Sequence, residues 1–180
     1  MTDAPARPDG EVVFLGIDPG LASTGFGVVA GDGRRNSILE FGCLHTKAGV
    51  ETPLRLLAIY RGVCEVIARC KPVGLAVEDV FSAPRMPGAA LALGEVRGVI
   101  MIAAAEAGLP VIQLPARQVK QAITGSGAAD KEQLERALRS MTGWKEAIRP
   151  SHASDALAIA IVGLSRWKTG RWRDAVNQTT

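Results

Sequence analysis

Several features that define particular protein classes are absent from this sequence. The chain has only three cysteines, Cys43, Cys64 and Cys70, an odd number with no paired spacing for disulfides or zinc. It has no internal repeat, no low-complexity segment and no signal-peptide pattern. Its most apolar stretches, residues 96–105 and 156–164, are shorter than the roughly 20 residues of a membrane span. We therefore expect a soluble, cytoplasmic protein.

Charge of either sign is also in little excess. Lysine and arginine total 21 against 18 acidic residues, a net charge of +3, and the isoelectric point is about 9.0. This mildly basic balance tolerates a polyanionic partner without requiring one. An apolar content of 47% over 180 residues suits one compact α/β domain better than two small ones.

The order of predicted elements places one domain, residues 11–168, between a flexible leader, 1–10, and a flexible basic tail, 169–180, that contains Arg171 and Arg173. Apolar patterning predicts five strands and five helices within the domain. The strands cover residues 11–18, 24–30, 37–46, 73–80 and 111–114, and the helices cover residues 52–70, 87–107, 115–124, 129–141 and 151–168.

The pattern of connections predicts the fold class. Residues 31–33, of sequence GDG, form a hairpin signal, so the first three strands are expected to form an antiparallel meander. Helices and strands alternate afterwards, and Thr52 and Ser151 are predicted to cap the first and last helices. The sequence thus predicts an α/β fold with a mixed sheet, three antiparallel strands and then parallel strands, flanked by helices.

Two of the apolar strands end in carboxylates. Asp18 lies at the end of the first, where burial would penalise its charge unless a cation or hydrogen-bond donors were near, although a turn-forming Asp before Pro-Gly is the ordinary alternative. Glu78 and Asp79 end the fourth strand on opposite faces, so one of them can join Asp18, and periodicity does not decide which. A solvated pair at the strand end is the alternative.

Two further features favour a site near Asp18. The glycines of residues 24–28, TGFGV, allow a backbone or a phosphate to approach the second strand closely. His152 and Asp155 lie in the first turn of an apolar helix, three residues apart and hence on one face, where they can share a metal. Each residue also has an ordinary alternative when it is taken singly. Asp155 can be a first-turn acid that interacts favourably with the helix dipole, and His152 can be a surface cap residue.

Together these side chains form a ligand set for hard divalent cations. Asp18, Glu78, Asp155 and His152 supply carboxylate oxygens and an imidazole suited to Mg²⁺ or Mn²⁺, and several acids brought close need cations to offset their repulsion. Two such ions about 4 Å apart can activate a water and stabilise a leaving oxygen in phosphodiester hydrolysis. The sequence therefore predicts a metal-dependent phosphodiesterase.

At these residues the chain resembles the RuvC family of Holliday-junction resolvases. The resemblance runs in family order from about residue 14 to residue 164. It is carried by residues 16–20 (GIDPG), 24–28 (TGFGV), 76–81 (AVEDVF), 93–99 (LGEVRGV), 116–121 (ARQVKQ), 125–127 (GSG) with Lys131, and 155–160 (DALAIA).

The resemblance implies a ribonuclease H-like fold and a homodimer that makes symmetric nicks across four-way junction DNA with two Mg²⁺ or Mn²⁺ ions per subunit. It also implies a partnership with a branch-migration complex of RuvA and RuvB type proteins. The family's metal-binding acids fall on Asp18, Glu78 and Asp155, which favours Glu78 over Asp79. The fourth position carries His152 where many relatives have Asp, so we hypothesise weaker Mg²⁺ binding and a relative preference for Mn²⁺.

The resemblance and the charge pattern also suggest DNA-facing residues. Lys120, a catalytic candidate, and Lys131 fall at basic positions near the scissile phosphate, and residues 125–127 can present backbone N–H groups to phosphate. The further DNA-binding candidates are Phe81, Arg85, Arg117 and Ser126. The alternatives are packing at the strand end for Phe81, a solvated side chain for Arg85 and a structural ion pair for Arg117.

Small residues suggest a dimer interface on the second predicted helix. Such residues permit close helix approach at a two-fold axis, although they can equally pack on the sheet. They are Gly88, Ala89, Ala90, Ala92, Gly94 and Gly98.

Two other functions compete with this one. Actin-like kinases also place an Asp and glycines on a first hairpin, but they need a second similar domain for which 180 residues leave no room. A junction-binding module without chemistry is disfavoured by the full acidic set.

Overall fold

A computed structural model describes residues 10–79 and 87–170. The strands are β1 (Val12–Asp18), β2 (Ser23–Gly31), β3 (Asn36–His45), β4 (Leu75–Asp79) and β5 (Val111–Pro115). The helices are α1 (Thr52–Cys70), α2 (Pro87–Glu106), α3 (Ala116–Thr124), α4 (Lys131–Thr142) and α5 (Ser151–Lys168). Residues 1–9 of the predicted leader and 171–180 of the predicted tail lie outside the described residues.

The five strands form one mixed sheet in the order β3-β2-β1-β4-β5. β1 and β2 pair antiparallel, as do β2 and β3, whereas β4 runs parallel to both β1 and β5. The Asp32 carboxylate accepts hydrogen bonds from the backbone N–H groups of Arg34 and Arg35 and so closes the β2–β3 hairpin. The predicted mixed sheet, three antiparallel strands followed by parallel ones, is confirmed.

Helices cover both faces of the sheet, and each face has its own apolar core. On one face α5, α3 and α4 pack around Phe14, Leu114 and Leu157. On the other, α1 and α2 pack around Leu15, Ile17 and Val77. Successive side chains of a strand point to opposite faces of the sheet, so neighbouring residues of one strand enter different apolar cores.

α5 lies directly on the backbone of β1 and β2 because glycines face it. A Cβ added at Gly16 would lie 2.2 Å from the Ala156 carbonyl oxygen, and one added at Gly25 would lie 2.1 Å from the His152 carbonyl oxygen. The close approach predicted for the glycines of residues 24–28 therefore occurs at Gly25, where the backbone of α5 is the approaching group, and Gly16 makes a second such contact. This contact brings the first turn of α5 over the end of β1.

Two predicted helix caps are wrong. α1 begins at Thr52, but its N-cap residue is Glu51, without a side-chain cap. α5 begins at Ser151, with Pro150 as the N-cap residue, so the serine lies inside the first turn. A side-chain cap does form at α4, where Asp130 and Gln133 make a reciprocal capping box.

α2 leaves much of its apolar surface uncovered by the described residues. Its segment Gly88–Glu106 has a mean hydropathy of 1.6 and is long and apolar enough to cross a membrane, longer than the stretch 96–105 noted from the sequence. Core helices of soluble proteins also meet this measure of length and composition. Only 22% of its most apolar window is buried, and Leu91 and Ile102 are exposed. The helix thus presents an apolar outer face.

Candidate active site

Three of the four predicted ligands meet where the end of β1 faces the first turn of α5. One ligand atom from each of Asp18, His152 and Asp155 lies within 4.8 Å of the other two. His152 Nδ1 is 2.6 Å from Asp18 Oδ2, and Asp18 itself is only 7% exposed. The backbone contact between α5 and the first two strands thus yields a compact ligand cluster.

The fourth predicted ligand, Glu78, approaches from the end of β4. Its neighbour in the chain, Val77, belongs to the core under α1 and α2, so alternation directs Glu78 toward α5. The Glu78 carboxyl is close enough to Asp18, Asp155 and Lys120 for these groups to act on its pKa. Asp79 turns the other way, toward Arg97 of α2. Of the two acids at this strand end, Glu78 therefore faces the cluster and Asp79 faces α2.

Burial and crowding make negative charge costly at this site. Burial first, then repulsion by Asp18, raise the pKa of Glu78 to about 7. The same causes in the same order raise the pKa of Asp155, whereas Lys131, His152 and Lys120 act to lower it. A group of half-buried acids whose proton affinity is raised by their mutual repulsion needs compensating positive charge to ionise fully.

The donors of this site fit a divalent cation. Carboxylate oxygens and one imidazole suit Mg²⁺ and Mn²⁺, and an added cation would relieve the repulsion that raises the two pKa values. A cavity of about 30 Å³ opens beside Glu78, Lys120 and Asp155 over an apolar floor that includes Val119 and Leu134. It has room for an ordered water or a small ion.

Two lysines flank the acids. Lys120 of α3 donates to the Ala129 carbonyl oxygen at 2.9 Å, and Lys131 of α4 donates to Ser151 Oγ at 3.1 Å. Both ammonium groups act to lower the pKa of Asp155. They supply fixed positive charge on the side of the site formed by α3 and α4.

Among the other DNA-facing candidates, the loop of residues 125–127 differs from the prediction. The N–H groups of Ser126 and Gly127 donate to Thr124 Oγ1 at 3.1 Å and Gln121 Oε1 at 2.9 Å, and that of Gly125 closes α3, so these donors are already engaged within the chain. The exposed Arg117 side chain packs against Gly127. Phe81 and Arg85 lie outside the described residues.

Two supporting residues were not predicted. The wholly buried Thr24 donates from Oγ1 to the Gly20 carbonyl oxygen at 2.7 Å and fixes the turn after Asp18. Glu135 of α4 accepts the N–H of Ile148 at 3.1 Å and so fixes the chain entering α5. Thr24 was visible as a polar residue opening an apolar strand, but nothing in the sequence links Glu135 to a loop 13 positions away.

The raised pKa of Glu78 predicts how the stability of the metal-free protein depends on pH. The folded state keeps this proton up to about pH 7, whereas the unfolded chain loses it near the ordinary value of 4.5, so stability falls as pH rises across that interval. In the presence of a chelator, Glu78→Gln should melt at a higher temperature than the unmodified protein at pH 8 and at nearly the same temperature at pH 5. Glu132→Gln, at a side chain that is 86% exposed, is the control. An equal Tm difference at both pH values would contradict the assignment.

Comparison with known proteins agrees with this geometry. The sequence profile of the family "Crossover junction endodeoxyribonuclease RuvC" matches residues 14–163. The RuvC protein of Moorella thermoacetica is 42% identical over 150 residues, 83% of this chain and 89% of that protein. That of Photorhabdus laumondii is 45% identical over 150 residues, 83% of this chain and 84% of that protein.

Solved structures show the same likeness. Thermus thermophilus RuvC in complex with a Holliday junction substrate superposes with a TM-score of 0.81 at 38% identity, over 88% of this chain and 96% of that one. The yeast mitochondrial Holliday junction resolvase Ydc2, at 12% identity and a TM-score of 0.61, shares the fold over 93% of this chain and 84% of its own. The predicted family is thus confirmed: the chain belongs to the RuvC family of crossover junction endodeoxyribonucleases.

Proposed function

We propose that this protein resolves four-way DNA junctions by hydrolysing phosphodiester bonds at the site formed by Asp18, Glu78, His152 and Asp155. The observation that carries the proposal is the convergence of Asp18, His152 and Asp155 ligand atoms within 4.8 Å of one another. A family relative whose solved structure contains a Holliday junction substrate supplies the substrate class. The reaction is one of recombination and repair.

Divalent metal is the cofactor that the donor set suits. Asp18, Glu78 and Asp155 would hold two Mg²⁺ or Mn²⁺ ions per subunit, with His152 as the fourth ligand. When bound, such ions polarise the phosphate, favour deprotonation of water and offset charge on the leaving oxygen. The chain's own part is to hold the acids together, with Thr24 fixing the turn after Asp18 and Glu135 the entry to α5.

The DNA backbone would approach from the side that carries the two lysines. Lys120 and Lys131 place positive charge beside Asp155, where it attracts a phosphate and reduces its repulsion by the acids. The exposed Ser126 hydroxyl lies on the neighbouring loop, and the exposed Arg117 side chain of α3 packs against Gly127 of the same loop, so both extend this surface. Because the backbone N–H groups of that loop are engaged, its phosphate contacts fall to side chains. Phe81 and Arg85 remain predicted DNA contacts.

Asp155→Asn tests the proposed reaction. It keeps the side-chain shape but removes a charge and a ligand, so we expect the single-turnover cutting rate of a labelled four-way junction in Mn²⁺ to fall at least about 100-fold. Junction binding in Ca²⁺ should weaken no more than about twofold, because Lys120 and Lys131 are unchanged.

Asp130→Asn is the matched control for this test. Asp130 caps α4, and asparagine caps equally well, so its rate should equal that of the unmodified protein. If the unmodified protein bound the junction and cut nothing in Mn²⁺ or Mg²⁺, the chain would be a junction-binding module and the proposed reaction would be wrong.

The metal preference depends on His152. A neutral imidazole contributes one negative charge fewer than Asp and is a softer donor, which favours Mn²⁺ over Mg²⁺. His152→Asp should therefore lower the Mg²⁺ concentration for half-maximal cutting and reduce the ratio of Mn²⁺ to Mg²⁺ activity. His45→Asp changes the other histidine of the chain, on β3, and should leave the ratio unaltered. Equal activity of the unmodified protein with both ions at matched low concentration would exclude the preference.

A homodimer joined through α2 accounts for paired, symmetric nicks. Leu91 and Ile102 of this helix are 68% and 55% exposed, and a Cβ added at Gly94 or Gly98 would meet nothing within 4 Å. Such a surface, apolar and indented at glycines, suits close contact with a second copy of the helix. The resemblance extends the proposal to RuvA and RuvB type partners in the cytoplasm.

Ile102→Glu tests the dimer. In a two-fold interface between two copies of α2, each subunit would bury the introduced carboxylate against an apolar surface. The variant should therefore sediment as a monomer and lose coordinated cutting of both strands. Leu39→Glu, on β3 and 46% exposed, should remain a dimer. A monomeric unmodified protein would contradict this part of the proposal.

A further inference from the structure

α1 begins at the end of the sheet that carries the candidate active site. β1 ends there at Asp18, and β2 begins there at Ser23, which pairs with His45 at the end of β3. After residues 46–51 the chain enters α1, whose first turn contains Arg55. α1 and α5 cover opposite faces of the sheet, so their first turns flank the same sheet end from the two sides.

The Arg55 side chain is tied to the turn that follows Asp18. Its Nε donates a hydrogen bond to Thr46 Oγ1 at 2.8 Å, and the Thr46 hydroxyl donates in turn to the Leu21 carbonyl oxygen at 2.5 Å. The backbone N–H of Thr46 donates to the Ala22 carbonyl oxygen at 3.1 Å. Two side-chain hydrogen bonds in series therefore orient the guanidinium relative to this turn.

The two terminal nitrogens of the same guanidinium can take a further partner. Within residues 10–79 and 87–170, Arg55 forms no ion pair with a carboxylate, and the bond to Thr46 is the hydrogen bond that its side chain makes. The group is nonetheless partly buried, where water compensates its charge less well than at an exposed site. An arginine held at Nε, with Nη1 and Nη2 left for a partner, suits a forked contact with a phosphate.

Positive charge thus lies on two sides of the acidic cluster. Lys120 and Lys131 stand on the side of α3 and α4, which pack on the same sheet face as α5. Arg55 stands on the side of α1, with the turn after Asp18 between it and the cluster. The exposed Lys47 adds charge in the same connection. A DNA strand that meets the acids from the side of the two lysines and continues over the turn would reach Arg55.

We propose that Arg55 binds a phosphate of the junction DNA other than the scissile one, on the side of the site opposite Lys120 and Lys131. Thr46 is then a positioning residue, because its hydroxyl orients the guanidinium. The inference rests on the proposed function, since it assigns a further contact to the same DNA. It predicts that Arg55 contributes to junction affinity and to its salt dependence, and contributes nothing to metal binding.

Arg55→Gln in the full chain tests the contact. Junction affinity in Ca²⁺ should fall about tenfold, and the plot of log affinity against log salt concentration should become less steep by about one, because one phosphate contact is lost. Mn²⁺ affinity, measured calorimetrically without DNA, should stay unchanged, because the hydrogen bond of Arg55 is to Thr46 and not to a ligand of the site.

Arg61→Gln is the matched control. Arg61 is an exposed residue of the same helix, and its loss changes the net charge equally, but it lies about 120° away from Arg55 around the helix axis. Its junction affinity and salt dependence should equal those of the unmodified protein. Arg55→Lys keeps the charge and loses the fork, so its salt dependence should be retained while its affinity falls about threefold. If Arg55→Gln does not fold, full affinity in Arg55→Lys would overturn the inference.

Neutral methylphosphonates identify the phosphate concerned. Each is placed singly at a phosphate near the cutting site of the junction. At one position the substitution should weaken binding by the unmodified protein and by Arg61→Gln about tenfold, and should leave binding by Arg55→Gln almost unchanged, because both changes remove the same contact.

The outcomes separate this inference from the proposed function. Unchanged junction affinity and salt dependence in Arg55→Gln, beside an unmodified protein that binds and cuts, would overturn the inference alone. A fall in Mn²⁺ affinity with an unchanged salt dependence would also overturn it, because Arg55 would then act by holding the turn after Asp18. If the unmodified protein bound the junction and cut nothing, the proposed reaction would fail, and the same titrations would still decide whether Arg55 binds a phosphate.

Discussion

Repulsion between carboxylates is the force that this fold has to resist. Asp18, Glu78 and Asp155 come from two strands and a helix, and their crowding and burial raise the pKa values of Glu78 and Asp155. Acids do not gather in this way unless the scaffold holds them, so each needs a rigid attachment. Asp18 has the buried strand β1, Asp155 has a helix packed on strand backbone, and the flanking lysines and His152 provide partial compensation.

The fold was predictable from the sequence because its signals are local and agree with one another. Short apolar runs bounded by turn residues predicted the strands, the GDG hairpin predicted the antiparallel start, and the alternation of helix with strand predicted the parallel part. The errors are also local. Thr52 and Ser151 are good capping residues, yet each lies one position inside its helix, since the chain path preceding it determines where the helix begins.

The site was predictable only in part. Asp18 and the His152–Asp155 pair stood out because ligand-type side chains interrupt apolar segments. The choice of Glu78 over Asp79 needed sheet register or the family resemblance, because alternation separates the two acids without saying which face is which. Glu135 gave no readable signal, since its contact with Ile148 joins segments that only the folded chain brings together.

The backbone contact of α5 at Gly16 and Gly25 has a consequence for protein engineering. In most helix–sheet layers, side chains act as spacers, and their volume sets the separation. Here peptide groups of α5 contact the glycines of the strands directly, so the distance between the first turn of α5 and the strands is set by the van der Waals radii of backbone atoms. The apolar residues around it can thus be exchanged for others of similar total volume, and the span between Asp18 and Asp155 should stay constant while the rest of the interior is redesigned.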